Sequence, residues 1–140
     1  MLAQEWTTLL DTIAAEYPIV SRRDDSVTIG WPADKPEQTV TIQCLHIDGL
    51  MRILITADVC SAADVSERDA LELAVKLLVG GIFIWEGYLG MRLVLTEGHY
   101  SLPLIRSTIE ILRKNAIWFR GELLKHKVTA AATSVDAGRY

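Results

Sequence analysis

The residues able to do chemistry are few and do not gather. Three histidines (His46, His99, His126) and two cysteines (Cys44, Cys60) are the groups that would bind a metal or attack a substrate. The cysteines stand sixteen residues apart with no C-x-x-C pair and no His/Cys cluster, so zinc and dithiol redox motifs are both missing. In a reducing compartment both read as small core residues. The G-x-S-x-G elbow, the H-E-x-x-H pair, the Walker loop and a helix-opening G-x-G-x-x-G are missing too. Gly80, Gly81, Gly87 and Gly90 alternate with Phe83, Trp85 and Tyr88 and lack a following lysine, which suits turns and strand packing rather than a phosphate cradle. Asp24 and Asp25, next to Arg22 and Arg23, fit a solvated turn, because carboxylates that share acid and base work need a pocket that separates their pKa values. The expectation is therefore a chain with no catalytic residues, no metal site and no cofactor.

What chemistry remains is recognition. Of the four tryptophans, Trp6 and Trp31 fall at core positions, whereas Trp85 beside a turn and Trp118 on a helix flank have the placement of interface anchors. His46, beside Met51 across a hairpin, reads as a rim histidine of an apolar face.

The elements that must position these residues follow from periodicity. Leu2, Trp6, Leu9, Leu10, Ile13 and Tyr17 recur at helical spacing until Pro18. Residues 21–25 form a charged link, and Val27–Trp31 alternates as a strand that ends at Pro32 and Pro36. Thr39–Ile47 and Leu50–Cys60 flank Asp48-Gly49, a two-residue hairpin signal that sets the register. Counting back from it pairs His46 with Met51, Cys44 with Ile53, Ile42 with Ile55 and Val40 with Ala57, an almost purely apolar face that is the expected core. The opposite face carries Leu45, Ile47, Leu50 and Leu54 near the turn and turns polar farther on.

Ser66-Glu67-Arg68-Asp69 resembles a capping box and predicts a helix to about Val79, with Ala70, Leu71, Ala74, Leu77 and Leu78 inward. A second hairpin, Ile82–Trp85 and Tyr88–Leu95, has its turn at Glu86-Gly87 or at Leu89-Gly90. From Ser101 to Lys127 a long helix presents the seam Leu102, Ile105, Ile109, Leu112, Ala116, Phe119 and Leu123. Beside it Leu104, Ile111 and Trp118 repeat every seven residues, wider than one seam against a sheet requires. Val128–Tyr140 has no periodicity and reads as a disordered tail, leaving 1–127 as one domain.

Bulk properties bound the function. The chain of 140 residues is 50% hydrophobic, at the upper end of the globular norm, which excludes a disordered protein. The longest apolar run, Leu77–Trp85, is far short of the roughly 20 residues of a membrane span, and no signal peptide opens the sequence, so the expectation is cytoplasmic with no membrane partner. The net charge of −4 divides unevenly: residues 101–127 hold six basic and two acidic side chains, and the rest of the chain is acidic. An acidic body argues against nucleic acid, and the basic helix reads as a solvated face.

The order α-β-β-β-α-β-β-α resembles the type III secretion chaperone fold and the YbjN-like family that shares it. The residues that carry the likeness are the amphipathic start Leu2–Tyr17, the meander Val27–Cys60, the helix Ser66–Val79, the pair Phe83-Ile84-Trp85 and Met91–Leu95, and the long final helix. The resemblance implies an α+β fold with an antiparallel sheet, a homodimer, and binding of a partner polypeptide in place of catalysis. Leu104, Ile111, Trp118, Leu45, Leu54 and Trp85 are the expected partner- or dimer-binding residues. The competing expectation is a cystatin-like α+β domain, small-molecule-binding or enzymatic, with His46, Cys44 and Trp85 around one cavity.

Overall fold

The computed structural model describes residues 3–32, 37–77, 80–96 and 98–137, with the side chains of the last helix described as far as Lys125. The elements are α1 (Ala3–Glu16), β1 (Ile19–Arg22), β2 (Ser26–Trp31), β3 (Gln38–Ile47), β4 (Leu50–Ser61), a 3-10 turn (Ala62–Asp64), α2 (Glu67–Ala74), β5 (Gly81–Trp85), β6 (Tyr88–Thr96) and α3 (Leu102–Ala137). The six strands form one antiparallel sheet in the order β1-β2-β3-β4-β6-β5.

The first hairpin has the register that its turn residues demand. Val40 faces Ala57, Ile42 faces Ile55, Cys44 faces Ile53 and His46 faces Met51. Asp48 and Gly49 take φ values of 54° and 76°, the left-handed pair that such a turn needs. Alternation then sends Val40, Ile42, Cys44, Met51, Ile53, Ile55 and Ala57 into the core. Every residue of the α3 seam from Ile105 to Leu123 is buried against that face, and Trp6, Leu10 and Ile13 of α1 join the same cluster. Because one core collects the buried residues of all three helices, the helices lie together on one side of the sheet. Among the described residues no helix layer covers the other side.

Four sequence expectations need correction. First, the charged link holds a strand: β1 pairs with β2, so four strands precede α2. It is short, mostly exposed and at a sheet edge, where alternation is too brief to show and charged side chains discourage further pairing. Second, α2 stops at Ala74, short of Val79. The amides of Lys76 and Leu77 bond three residues back, to Leu73 and Ala74, a tightening that ends the helix. Third, the buried side of α2 is Ala70 and Leu73, with Ala74 and Leu77 half-buried, while Leu71 is exposed; Leu78 lies outside the described residues. The stripe is turned by about one residue from the expected one. Fourth, α3 does not end at Lys127 but continues to Ala137. Missing periodicity does not by itself mean a missing helix, and a formed helix propagates readily through Ala130, Ala131 and Ala132.

The basic side of α3 is not merely solvated. Arg106, Arg113 and Arg120, seven residues apart, each engage another part of the fold. Arg106 pairs with Glu16 of α1, the Arg113 guanidinium lies 4.1 Å over the Trp31 ring, and Arg120 donates to the Glu37 carbonyl at 3.0 Å. The bond from Arg106 holds the Glu16 carboxyl below its ordinary pKa. Three arginines on one flank thus bind the helix to the α1, β2 and β3 end of the sheet.

Candidate functional site

The uncovered side of the sheet is built from the side chains that alternate with the core. On β3 these are Thr41, Gln43, Leu45 and Ile47; on β4, Leu54, Thr56 and Asp58; on the second hairpin, Phe83, Trp85, Tyr88, Gly90 and Arg92. Together with Glu86 they line an open depression of about 660 Å³. Its apolar walls come from two hairpin ends that are distant in sequence, Leu45, Ile47 and Leu54 from one and Phe83, Trp85 and Tyr88 from the other. The polar groups lie between them along the sheet.

The second hairpin turns at Glu86-Gly87, with φ values of 48° and 82°, which decides between the two turns that the sequence allowed. That choice pairs Trp85 with Tyr88, Phe83 with Gly90 and Gly81 with Arg92 on this face. Gly90 has a specific use. With no side chain there, the Phe83 ring lies across the strand, and the Arg92 guanidinium stacks 4.2 Å from the ring centre. A Cβ on Gly90 would stand 2.8 Å from Phe83 Cζ and 3.2 Å from the Ala57 carbonyl oxygen. Gly90→Ala is expected to cost about 1–3 kcal/mol, nearer the lower figure because the half-buried ring can move whereas the Ala57 backbone cannot. Urea denaturation checks this, and an unchanged midpoint would refute the packing role.

Three of the expected site residues meet here. Trp85 is 67% exposed, Leu45 is half-buried, and Leu54 is buried at 8% although it faces away from the helices, because its neighbours on the open face enclose it. The other three do not join them. Leu104, Ile111 and Trp118 lie along a flank of α3, on the far side of the sheet, each about 40% exposed. Ile117 and Leu124 are exposed on the same helix at 45% and 48% and were not singled out by the seven-residue repeat of the first line.

The cystatin-like arrangement is not what the fold makes. Cys44 is buried on the helix side of β3, and His46 shares that side but is exposed, whereas Trp85 opens on the opposite face. The two-residue period of a strand keeps them apart. Burial pushes the Cys44 thiol pKa up, so the thiolate that a nucleophile or a metal ligand must supply is disfavoured. Among the described residues no three His, Cys, Asp or Glu side chains gather as a metal site, and no helix is long and apolar enough to cross a membrane.

Phe83, Ile47, Tyr88 and Arg92 were missed as site residues. A signal existed for Phe83 and Tyr88, since both share the face of Trp85 once the turn is placed. None existed for Arg92 beside Leu54 and Thr56, because that depends on β6 inserting between β4 and β5.

No protein-family model and no curated protein sequence matches this chain. Solved structures do. A chain of the ExsC-ExsE complex superimposes with a TM-score of 0.67 at 17% identity, covering 87% of this chain and 96% of that one. A chain of the HopA1-SchA chaperone-effector complex gives 0.65 at 16% identity, covering 85% and 95%. The fold is chaperone-like. The expected α+β architecture with an antiparallel sheet is the observed one, and at such identities the likeness is one of fold. In this chaperone-like fold the open sheet face and the α3 flank are two places among the described residues where large apolar side chains meet solvent in groups, and Leu71 and Val75 of α2 are exposed as well.

Proposed function

We propose that this protein is a non-enzymatic, chaperone-like protein that binds a partner polypeptide through apolar surface and acts as a cytoplasmic homodimer. It belongs on this reading to the wider group that takes in secretion chaperones and YbjN-like proteins, with residues 1–127 as its working domain. The single observation that carries the reading is the open sheet face. A groove of about 660 Å³ with Trp85, Tyr88, Phe83, Leu45 and Leu54 in its lining exposes aromatic area of the kind that anchors interfaces. Its occurrence in a fold shared with a chain of a chaperone-effector complex supports a polypeptide as the occupant.

The α3 flank has a separate role in this reading. Leu104, Ile111 and Trp118 form a straight apolar line suited to a second copy, since a two-fold pair of helices buries the same line twice. Light scattering is expected to give about twice the chain mass of 15.6 kDa, and the Ile111→Asp, Trp118→Asp double variant is expected to be monomeric. A monodisperse wild-type monomer at micromolar concentration overturns the homodimer. For polypeptide binding, displayed random peptides are selected on the immobilised full chain. Recovered binders that Trp85→Ala no longer retains support the reading, and an empty selection overturns it.

A further inference from the structure

Arg92 is the residue of the groove that the fold itself leaves unmatched. Its guanidinium is stacked on Phe83, and it is half-buried in the sheet. Its Nε–H is cut off from solvent and has no acceptor among the described residues, and no carboxylate among them forms an ion pair with Arg92. Asp58, the acid on the neighbouring strand, accepts a 2.7 Å bond from the Thr39 hydroxyl. A half-buried cation whose Nε–H is shut off from water without an acceptor is costly, and the most favourable addition to such a place is a carboxylate. Guanidinium and carboxylate match as two parallel hydrogen bonds, and stacking on Phe83 already restricts the Arg92 side chain that would make them.

We propose that the groove receives a partner segment in which an aspartate or glutamate stands two residues from a large apolar side chain, the carboxylate meeting Arg92 and the apolar group packing against Leu54, two residues along β4 from Thr56, which pairs with Arg92. The inference rests on the polypeptide-binding reading and adds the chemistry of the partner. In an extended segment residues i and i+2 point the same way about 7 Å apart, which lets one stretch of chain reach both the cation and the apolar wall. The groove's own acids, Asp58 and Glu86, repel a run of acidic residues, which confines the carboxylate to the place of Arg92, the one cation among the described lining residues.

The test uses the peptides selected on the full chain. Their sequences are expected to be enriched in an acid two positions from an aromatic or aliphatic residue. One such peptide and its counterpart with Asn for Asp, or Gln for Glu, are then titrated against wild type, Arg92→Gln and Arg92→Lys. Wild type is expected to bind the acidic form about tenfold more tightly, a preference that salt weakens. Arg92→Gln is expected to bind both forms alike, and Arg92→Lys to keep a preference of about threefold because the charge stays while the paired geometry is lost. Thermal melts confirm that the variants are folded, and if Arg92→Gln is not, the Lys variant decides. Equal binding of the two peptide forms by wild type, or an undiminished preference in Arg92→Gln or Arg92→Lys, overturns the carboxylate inference while polypeptide binding stands. A selection that yields no peptide overturns both. A change of dimer mass in Arg92→Gln with peptide affinity unaltered assigns the groove to a second copy and likewise overturns the inference.

Discussion

Phe119→Ala is expected to lose about 3–5 kcal/mol of folding stability, the range for removing a buried aromatic ring from a core. Phe119 is among the largest of the fully buried side chains, at 0% exposure, in the seam where α3 crosses the sheet. Two features keep the resulting cavity from collapsing. The seam residues Leu112, Ala116 and Leu123 hold α3 along its length, and Arg106, Arg113 and Arg120 bind its flank to α1, β2 and the Glu37 carbonyl. The helix cannot settle toward the sheet at one point without breaking contacts at several others. Against a total stability of about 5–15 kcal/mol for an ordinary domain, the loss is a large share of the whole. Urea denaturation is expected to show a lower midpoint with the slope unchanged. A loss below about 1 kcal/mol would mean that α3 does repack, and that its anchoring is weaker than the geometry implies.

Trp85→Ala is expected to have the opposite pattern. The side chain is 67% exposed at the end of β5, so stability should stay within about 0.5 kcal/mol of wild type. Affinity for the selected peptides should fall about thirtyfold or more, the equivalent of roughly 2 kcal/mol or above at an aromatic anchor. Tyr88, its cross-strand neighbour, is 58% exposed and cannot replace the lost area without leaving its own position. Titration calorimetry against wild type and variant measures the ratio, and a change below threefold would show that Trp85 is not an anchor. Two aromatic residues of one chain are thus expected to separate two uses of apolar surface, the first in holding the fold and the second, on the proposed function, in binding a partner.

How far the site was legible depended on the kind of spacing involved. Leu45 and Leu54 were readable as cross-face neighbours because Asp48-Gly49 set their register within one hairpin. Trp85 was readable as an exposed aromatic beside a turn. Its meeting with Leu45 and Leu54 was not, since it requires β6 to lie against β4 and to carry β5 at its outer edge. Edge strand β1 escaped notice for a related reason. Four residues with one partner strand and little burial leave almost no pattern to detect. The early stop of α2 was likewise invisible, because Val75, Lys76 and Leu77 carry no Gly or Pro to mark it, and the bonds of Lys76 and Leu77 to carbonyls three residues back show only in the structure.

By itself, then, the sequence determined what local chemistry controls: the turn residues of both hairpins as candidates, the register of the first, and the seam of α3. Those follow from φ preferences and from periods of two and 3.6, which act over a few residues and need no partner. Tertiary structure alone decided which faces stay open. All three helices fall on one side of the sheet, because a single apolar face collects them, and so the second face brings two distant hairpin ends together around Arg92. A long-range pairing of strands has no local signature, and the groove exists only through that pairing.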